Sequence, residues 1–174
     1  MRCFFVLLIL LAGCTSVVPT TAMRLNNLSP TTADPADVAV ALTLPEGIDV
    51  QPGSAILAFA VTRSDLDQTA EGTFTLVREG DIYAISPSDH ATLRALQATA
   101  RQWDAENANA TEGSLAITLA PCLQGAGPSD DARVNVGIRL AQDGDFLPLV
   151  RNGHLSAVTS VEQLGDIPQC DAAS

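Results

Sequence analysis

Two histidines, His90 and His154, and twenty acidic residues are the side chains here that could carry acid–base or metal chemistry. Ser88-Asp89-His90 holds the residue types of a nucleophilic triad, yet three consecutive residues cannot face one another as nucleophile, base and orienting acid must. His90 falls in the first turn of an expected helix, where the dipole disfavours its protonated form. His154 follows the turn pair Asn152-Gly153 and reads as solvent-facing. Asp65, Asp67, Thr69 and Glu71 alternate as the oxygen ligands of a calcium loop do. That pattern breaks at Ala70, where the loop needs glycine, and at Leu76, where a bidentate glutamate belongs. Asp130-Asp131, and Asp143 and Asp145 around Gly144, read as solvated loop acids. The GxSxG, SxxK, HExxH, GxGxxG and Walker patterns do not occur. The expectation is therefore no catalytic residue, no metal ligand and no cofactor.

Charge narrows the partners. The formal net charge is −11, with nine arginines and no lysine. A polyanion without a basic run has no electrostatic footprint for nucleic acid, and no attraction to an anionic lipid surface. The missing lysine also removes Schiff-base and amine-nucleophile chemistry. A single Trp and a single Tyr leave little from which to build a sugar-stacking cleft.

The elements that must position any site are mostly strands. From Asp37 the chain turns to period two: Val38, Val40, Leu42 and Leu44 alternate up to Pro45-Glu46-Gly47. Ile48 and Val50 form a short extension before Pro52-Gly53. Residues 54–63 place Leu57, Phe59 and Val61 on one face. Thr73 to Val77 and Ile82 to Ile85 flank a hairpin turn at 78–81. Leu115, Ile117 and Leu119 alternate into Cys122, and Val134, Val136, Ile138 and Leu140 give the clearest alternation. Asp143-Gly144 and Asn152-Gly153 are turn signals that make residues 133–159 a three-strand meander, with Pro148 requiring an edge or a bulge. One helix stands apart. Ser86-Pro87-Ser88-Asp89 offers a cap, Leu93, Leu96, Ala100 and Trp103 form one apolar stripe, and the helix fades near 107–109. This content predicts a mainly β fold: a β-sandwich-like domain of about eight short strands with one amphipathic helix. An α+β sheet covered by the helix is the alternative.

The N-terminus supplies an address. Arg2 is a basic n-region, Phe4 to Leu11 an apolar run far short of the roughly 20 residues that span a bilayer, and Leu11-Ala12-Gly13-Cys14 a small-residue cleavage site. The tetrapeptide resembles the lipobox of bacterial lipoproteins. The resemblance implies a signal peptide over 1–13 and lipidation of Cys14. It also implies sorting by the following residue, here Thr15 and not the aspartate that favours inner-membrane retention. The implied location is the cell envelope, lipid-anchored in the outer membrane and facing the periplasm. Residues 14–36, rich in Thr, Ser, Pro, Ala and Asn, read as the lipidated cysteine and a flexible tether of roughly 25 Å reach, and 37–174 as a single β-rich domain. Leu25 and Leu28 interrupt the polar run and leave the end of the tether open. In an oxidising compartment the remaining cysteines, Cys122 and Cys170, have each other as disulfide partner. A free thiol and a metal pair are the alternatives, with no nearby histidine and no CxxC to support a metal.

Three function classes remain. The first is a membrane-anchored, non-catalytic interaction or accessory module working through an envelope protein partner. The second is a carrier of an apolar ligand or lipid, which needs a cavity lined by inward residues such as Leu57, Phe59, Val136, Ile138 and Trp103. The third, a hydrolase, needs a cleft that joins a histidine to two acids. The absence of motifs favours the first, and cavity geometry separates it from the second.

Overall fold

The alternating segments become strands, most of them in one curled sheet whose apolar sides fall on one face. The computed structural model describes residues 31–141, 143–155 and 167–170. The strands are β1 (Ala39–Thr43), β2 (Ile48–Val50), β3 (Ile56–Arg63), β4 (Gln68–Glu79), β5 (Ile82–Ile85), β6 (Thr111–Thr118), β7 (Pro121–Leu123), β8 (Arg133–Arg139) and β9 (Leu147–His154). Among the described residues there is one α-helix, α1 (His90–Asn107), flanked by 3-10 turns at Pro87–Asp89 and Ala108–Ala110. The fold is mainly β with one helix, as the sequence predicts. The facing layers belong to a single seven-stranded sheet in the order β6-β3-β4-β5-β1-β8-β9, and β2 and β7 form a separate two-stranded ribbon.

Register explains the curl. Leu57 pairs with Phe74 and Ile117, Leu76 with Ile85, Val40 with Tyr83 and Ile138, and Leu42 with Val136. Cross-strand partners share a face, so these residues make one continuous apolar surface. Burying it on itself requires the sheet to curl. Leu57, Phe59, Val61, Phe74, Leu76, Tyr83 and Ile85 form a single buried cluster with Leu93 and Ala100 of α1.

The helix packs on β3, β4 and β6 through the stripe that the sequence marks, with Leu93 and Ala100 buried and Leu96 and Trp103 half-buried. Gly72 permits the approach: a Cβ there would stand 2.8 Å from Leu96 Cδ1. The start of α1 differs from the expected cap. Neither Ser86 nor Asp89 makes a side-chain capping bond, and the Ser86 and Ser88 hydroxyls lie 2.8 Å apart.

Residues 31–36, assigned above to the tether, dock on the helix. Gln97 donates to the Ala33 carbonyl at 2.8 Å, Arg94 pairs with Asp34 at 2.7 Å, and Arg101 donates to the Thr31 carbonyl. Pro35 is fully buried. The backbone N–H of Ala36, then Arg94, holds the Asp34 carboxyl below its usual range. The polar composition of this stretch hides its packing, because the bonds run mainly from its backbone carbonyls to helix side chains.

The meander needs one correction. Asn152-Gly153 does not connect two strands: both residues lie inside β9, where Gly153 pairs with Val134 and Asn152 has φ 49°. The Asn135 side chain accepts the Asn152 N–H at 2.7 Å, which holds this irregularity in place. Pro148 sits in the edge strand beside register shifts, as its missing N–H demands. The expected third strand, the signal peptide, Cys14, Leu25 and Leu28 lie outside the described residues.

Candidate functional site

The strands β6 and β9 are the two edges of the sheet, and they are not bonded to one another. Both edges nevertheless line one apolar cavity of ≈ 930 Å³. Leu115, Ile117 and Leu119 come from β6 and the residue after it, and Leu149 comes from β9. Val40 and Leu42 of β1 and Val134, Val136 and Ile138 of β8 make the curved back wall. Ile48 and Val50 of the ribbon, with Leu155 and Ile167, complete it. The volume lies within the roughly 300–1,000 Å³ range of small-molecule sites.

The cavity exists because of where the helix sits. Covering β3, β4 and β6 near Phe59, Val61 and Gly72, α1 fills one half of the curl; among the described residues no helix covers the half between β6 and β1–β8–β9. Of the inward residues the sequence offers for a cavity, Val136 and Ile138 line it; Leu57, Phe59 and Trp103 pack in the helix-covered core. Leu115, Ile117 and Leu119 are equally good core residues by type. Nothing in a single strand's pattern says which half of the sheet the helix covers.

A second, polar pocket of ≈ 180 Å³ adjoins the first and shares Leu42, Leu44, Ile48 and Asp49 with it. Arg78, Asp81, Tyr83 and Gln124 complete its lining. Arg78 Nη1 donates to Asp49 Oδ1 at 2.6 Å, and Asp49 also accepts the Val50 N–H at 2.8 Å and Gln124 Nε2 at 3.2 Å. The Arg78 guanidinium lies 5.5 Å from the centroid of the Tyr83 ring. Tyr83 is 3% exposed, and its hydroxyl has no hydrogen-bond partner among the described residues. Burial pushes its pKa up, so the phenol stays protonated.

The remaining polar groups serve the frame. His90 Nε2 lies 3.1 Å from the Ile85 carbonyl, which can only accept, so the bond fixes the proton on Nε2. His154 is exposed on β9, and Asp143 and Asp145 are exposed in the connection before it. Asp131 accepts the Ser129 hydroxyl at 2.8 Å, which lowers its pKa. Among the described residues no three His, Cys, Asp or Glu side chains converge as a metal site, and no helix is long and apolar enough to cross a membrane. Cys122 and Cys170 sit at disulfide distance, with sulfurs 2.06 Å apart.

Asp65, considered above as a calcium ligand, belongs to an ion-pair knot centred on Arg63, which follows Leu57, Phe59 and Val61 at the inward phase of β3. The Arg63 side chain is 6% exposed; it donates to both Asp65 oxygens at 2.7 and 3.2 Å and to Glu106 at 2.8 Å. Its Nη1 also reaches the Trp103 carbonyl in the last turns of α1 at 3.4 Å, and Asn107 donates to Asp65 at 3.0 Å. The end of β3 is thereby tied to the C-terminal end of α1. Arg63, then Asn107, depresses the Asp65 pKa; Arg63, then Gln102, depresses that of Glu106. Carboxyls with depressed folded-state pKa values stabilise the fold above their ordinary pKa, and that contribution disappears as pH falls through the lowered values. Arg63→Met is therefore expected to lower the melting temperature at neutral pH. Its deficit against the parent should shrink as pH falls below the ordinary carboxylate range; a deficit independent of pH in thermal scans would refute the knot.

Comparison with protein-family models, with curated proteins and with solved structures finds no match to this chain.

Proposed function

We propose that this protein is a non-catalytic binding protein for an apolar ligand of the cell envelope, held at the membrane by a lipid on Cys14. One observation carries the reading: the apolar cavity of ≈ 930 Å³ between the two free edges of the curled sheet. Among the described residues no side chain fills that space, and an apolar wall left to water is unfavourable, so an apolar occupant would be stabilised there. Acyl chains and similar hydrocarbon groups match a wall of Leu, Ile and Val with few polar atoms. The lipobox-type address puts the domain beside a membrane rich in such groups, on the periplasmic face of the outer membrane.

Organic extraction of the purified protein, with mass spectrometry of the extract, is expected to release a stoichiometric apolar molecule. The emptied protein should then take up the apolar fluorescent dye N-phenyl-1-naphthylamine. An empty extract together with no dye binding would overturn the reading. The anchor has its own test: Cys14→Ser should move the protein from the membrane to the soluble fraction, and retention in the membrane would remove the lipid from the account.

The interaction-module reading keeps one specific support. The outer sides of β6 and β9 have no strand partner among the described residues, and an open edge can accept a strand from another protein. Crosslinked co-purification of a near-stoichiometric partner, with crosslinks on β6 or β9, would favour it over ligand carriage.

A further inference from the structure

We propose that the ligand is an amphiphile with an uncharged, hydrogen-bonding head, such as a glycerol ester or a long-chain alcohol, its chain in the apolar cavity and its head in the polar pocket beside Tyr83. The proposal rests on the apolar-ligand reading and names the chemistry that the same site selects.

Contiguity is the first argument. Leu42, Leu44, Ile48 and Asp49 border both spaces, so the two lie side by side with only these side chains between them, and a rotamer change there would let one elongated molecule reach both. A pocket of ≈ 180 Å³ has room for about six water volumes, enough for a small polar head and too little for a second chain.

Tyr83 is the second. Buried hydroxyls are almost always hydrogen-bonded, and an unpaired one is costly. The Tyr83 side chain borders the polar pocket, and its hydroxyl, deeply buried, has no hydrogen-bond partner among the described residues. A hydroxyl or ester oxygen of the head would supply one.

Charge selects neutrality. Asp49 and Arg78 satisfy one another, and their further bonds go to Val50, Gln124 and the Gly80 carbonyl, so neither needs a ligand counter-ion. A charged head of either sign would give up its hydration without a free buried counter-ion, because Asp49 and Arg78 are paired with one another and Asp81 is exposed to water. A head with hydrogen-bonding atoms and no charge avoids that cost.

The test is displacement of N-phenyl-1-naphthylamine from the purified protein by three molecules sharing one chain: 1-monopalmitoylglycerol, palmitate and hexadecyltrimethylammonium, each below its micelle concentration. The glyceride is expected to displace the dye at about tenfold lower concentration than either ion. Tyr83→Phe should erase about tenfold of that advantage, equivalent to about 1.4 kcal/mol. The melting temperature of the emptied variant should be no lower than that of the emptied parent. Equal displacement by all three heads, tighter binding of an ion, or an unaltered preference in Tyr83→Phe would overturn the head assignment while leaving the cavity in place. Failure of the dye to bind the parent protein would remove the cavity reading and the head assignment together.

Discussion

An Ile117→Trp, Val136→Trp double variant is expected to lose N-phenyl-1-naphthylamine binding by about a hundredfold, about 2.7 kcal/mol, while remaining folded. The two positions approach the cavity from different sides: Ile117 lies in β6, at one edge of the sheet, and Val136 in β8, next to the other edge. Two indoles introduced there would divide ≈ 930 Å³ into spaces too short for a chain. Enlarging a side chain in a filled core usually costs about 1–3 kcal/mol through strain. Among the described residues no side chain fills this space, and each Å² of ring buried there returns about 25 cal/mol, so stability should hold or rise. Dye titration with circular dichroism as the fold control checks this. Unchanged binding by a folded variant would place the ligand elsewhere. If the pair perturbs the fold, Leu119→Trp alone, in the link between β6 and β7, gives the same test with one ring and a smaller expected loss.

Local order was legible and long-range closure was not. Period-two patterning located β3, β6 and β8, the Gly80-Asp81 turn located the β4–β5 hairpin, and the spacing of Leu93, Leu96, Ala100 and Trp103 located the helix. Each of these is a relation between residues a few positions apart. What makes the cavity is different in kind. The first strand, β1, is internal and pairs with β5 on one side and with β8, nearly a hundred residues on, at the other. Similarly, β6 returns across the helix to pair with β3. No alternation pattern encodes those choices, which arise from the best burial of the whole apolar face.

The same limit hides the side chains of interest. Leu115 and Ile117 look like Leu57 and Phe59 in sequence; only the position of α1 leaves the first pair facing space. Arg63 finds Glu106 across 43 positions, and Arg78 finds Asp49 across 29. Tyr83 reads as one more inward residue of a strand until the absence of a hydroxyl partner is visible. A usable signal did exist for Arg63, an arginine at the inward phase of an otherwise apolar strand, which must find partners to be buried. Asn152-Gly153 misled because its φ > 0 preference is real, and the chain spends it on an irregularity within β9 instead of a reversal.

Removing both cysteines by Cys122→Ala and Cys170→Ala is expected to lower unfolding free energy by about 4 kcal/mol, the loop-entropy value for a bridge between residues 48 apart. Replacing both avoids the confusion of a leftover thiol. Cys122 lies on β7, one of the two strands of the ribbon, and is 1% exposed. Cys170 follows Ile167 and Pro168, both of which line the cavity. Without the bridge that wall is held chiefly by the Leu123–Pro168 and Cys170–Leu123 backbone bonds, 2.8 Å each, and by the small cluster of Ile48, Ala132, Leu155 and Ile167. Loosening it should therefore weaken ligand binding more than the loss of global stability alone predicts. Urea unfolding monitored with and without the apolar dye separates the two effects. A ligand-induced shift in midpoint that is smaller in the double variant than in the parent supports a wall pinned by the disulfide. An equal shift, with stability lower by about 4 kcal/mol, would assign the bridge to the fold alone. No loss of stability in the double variant, or two titratable thiols in the oxidised parent protein, would mean that the cysteines are not bridged.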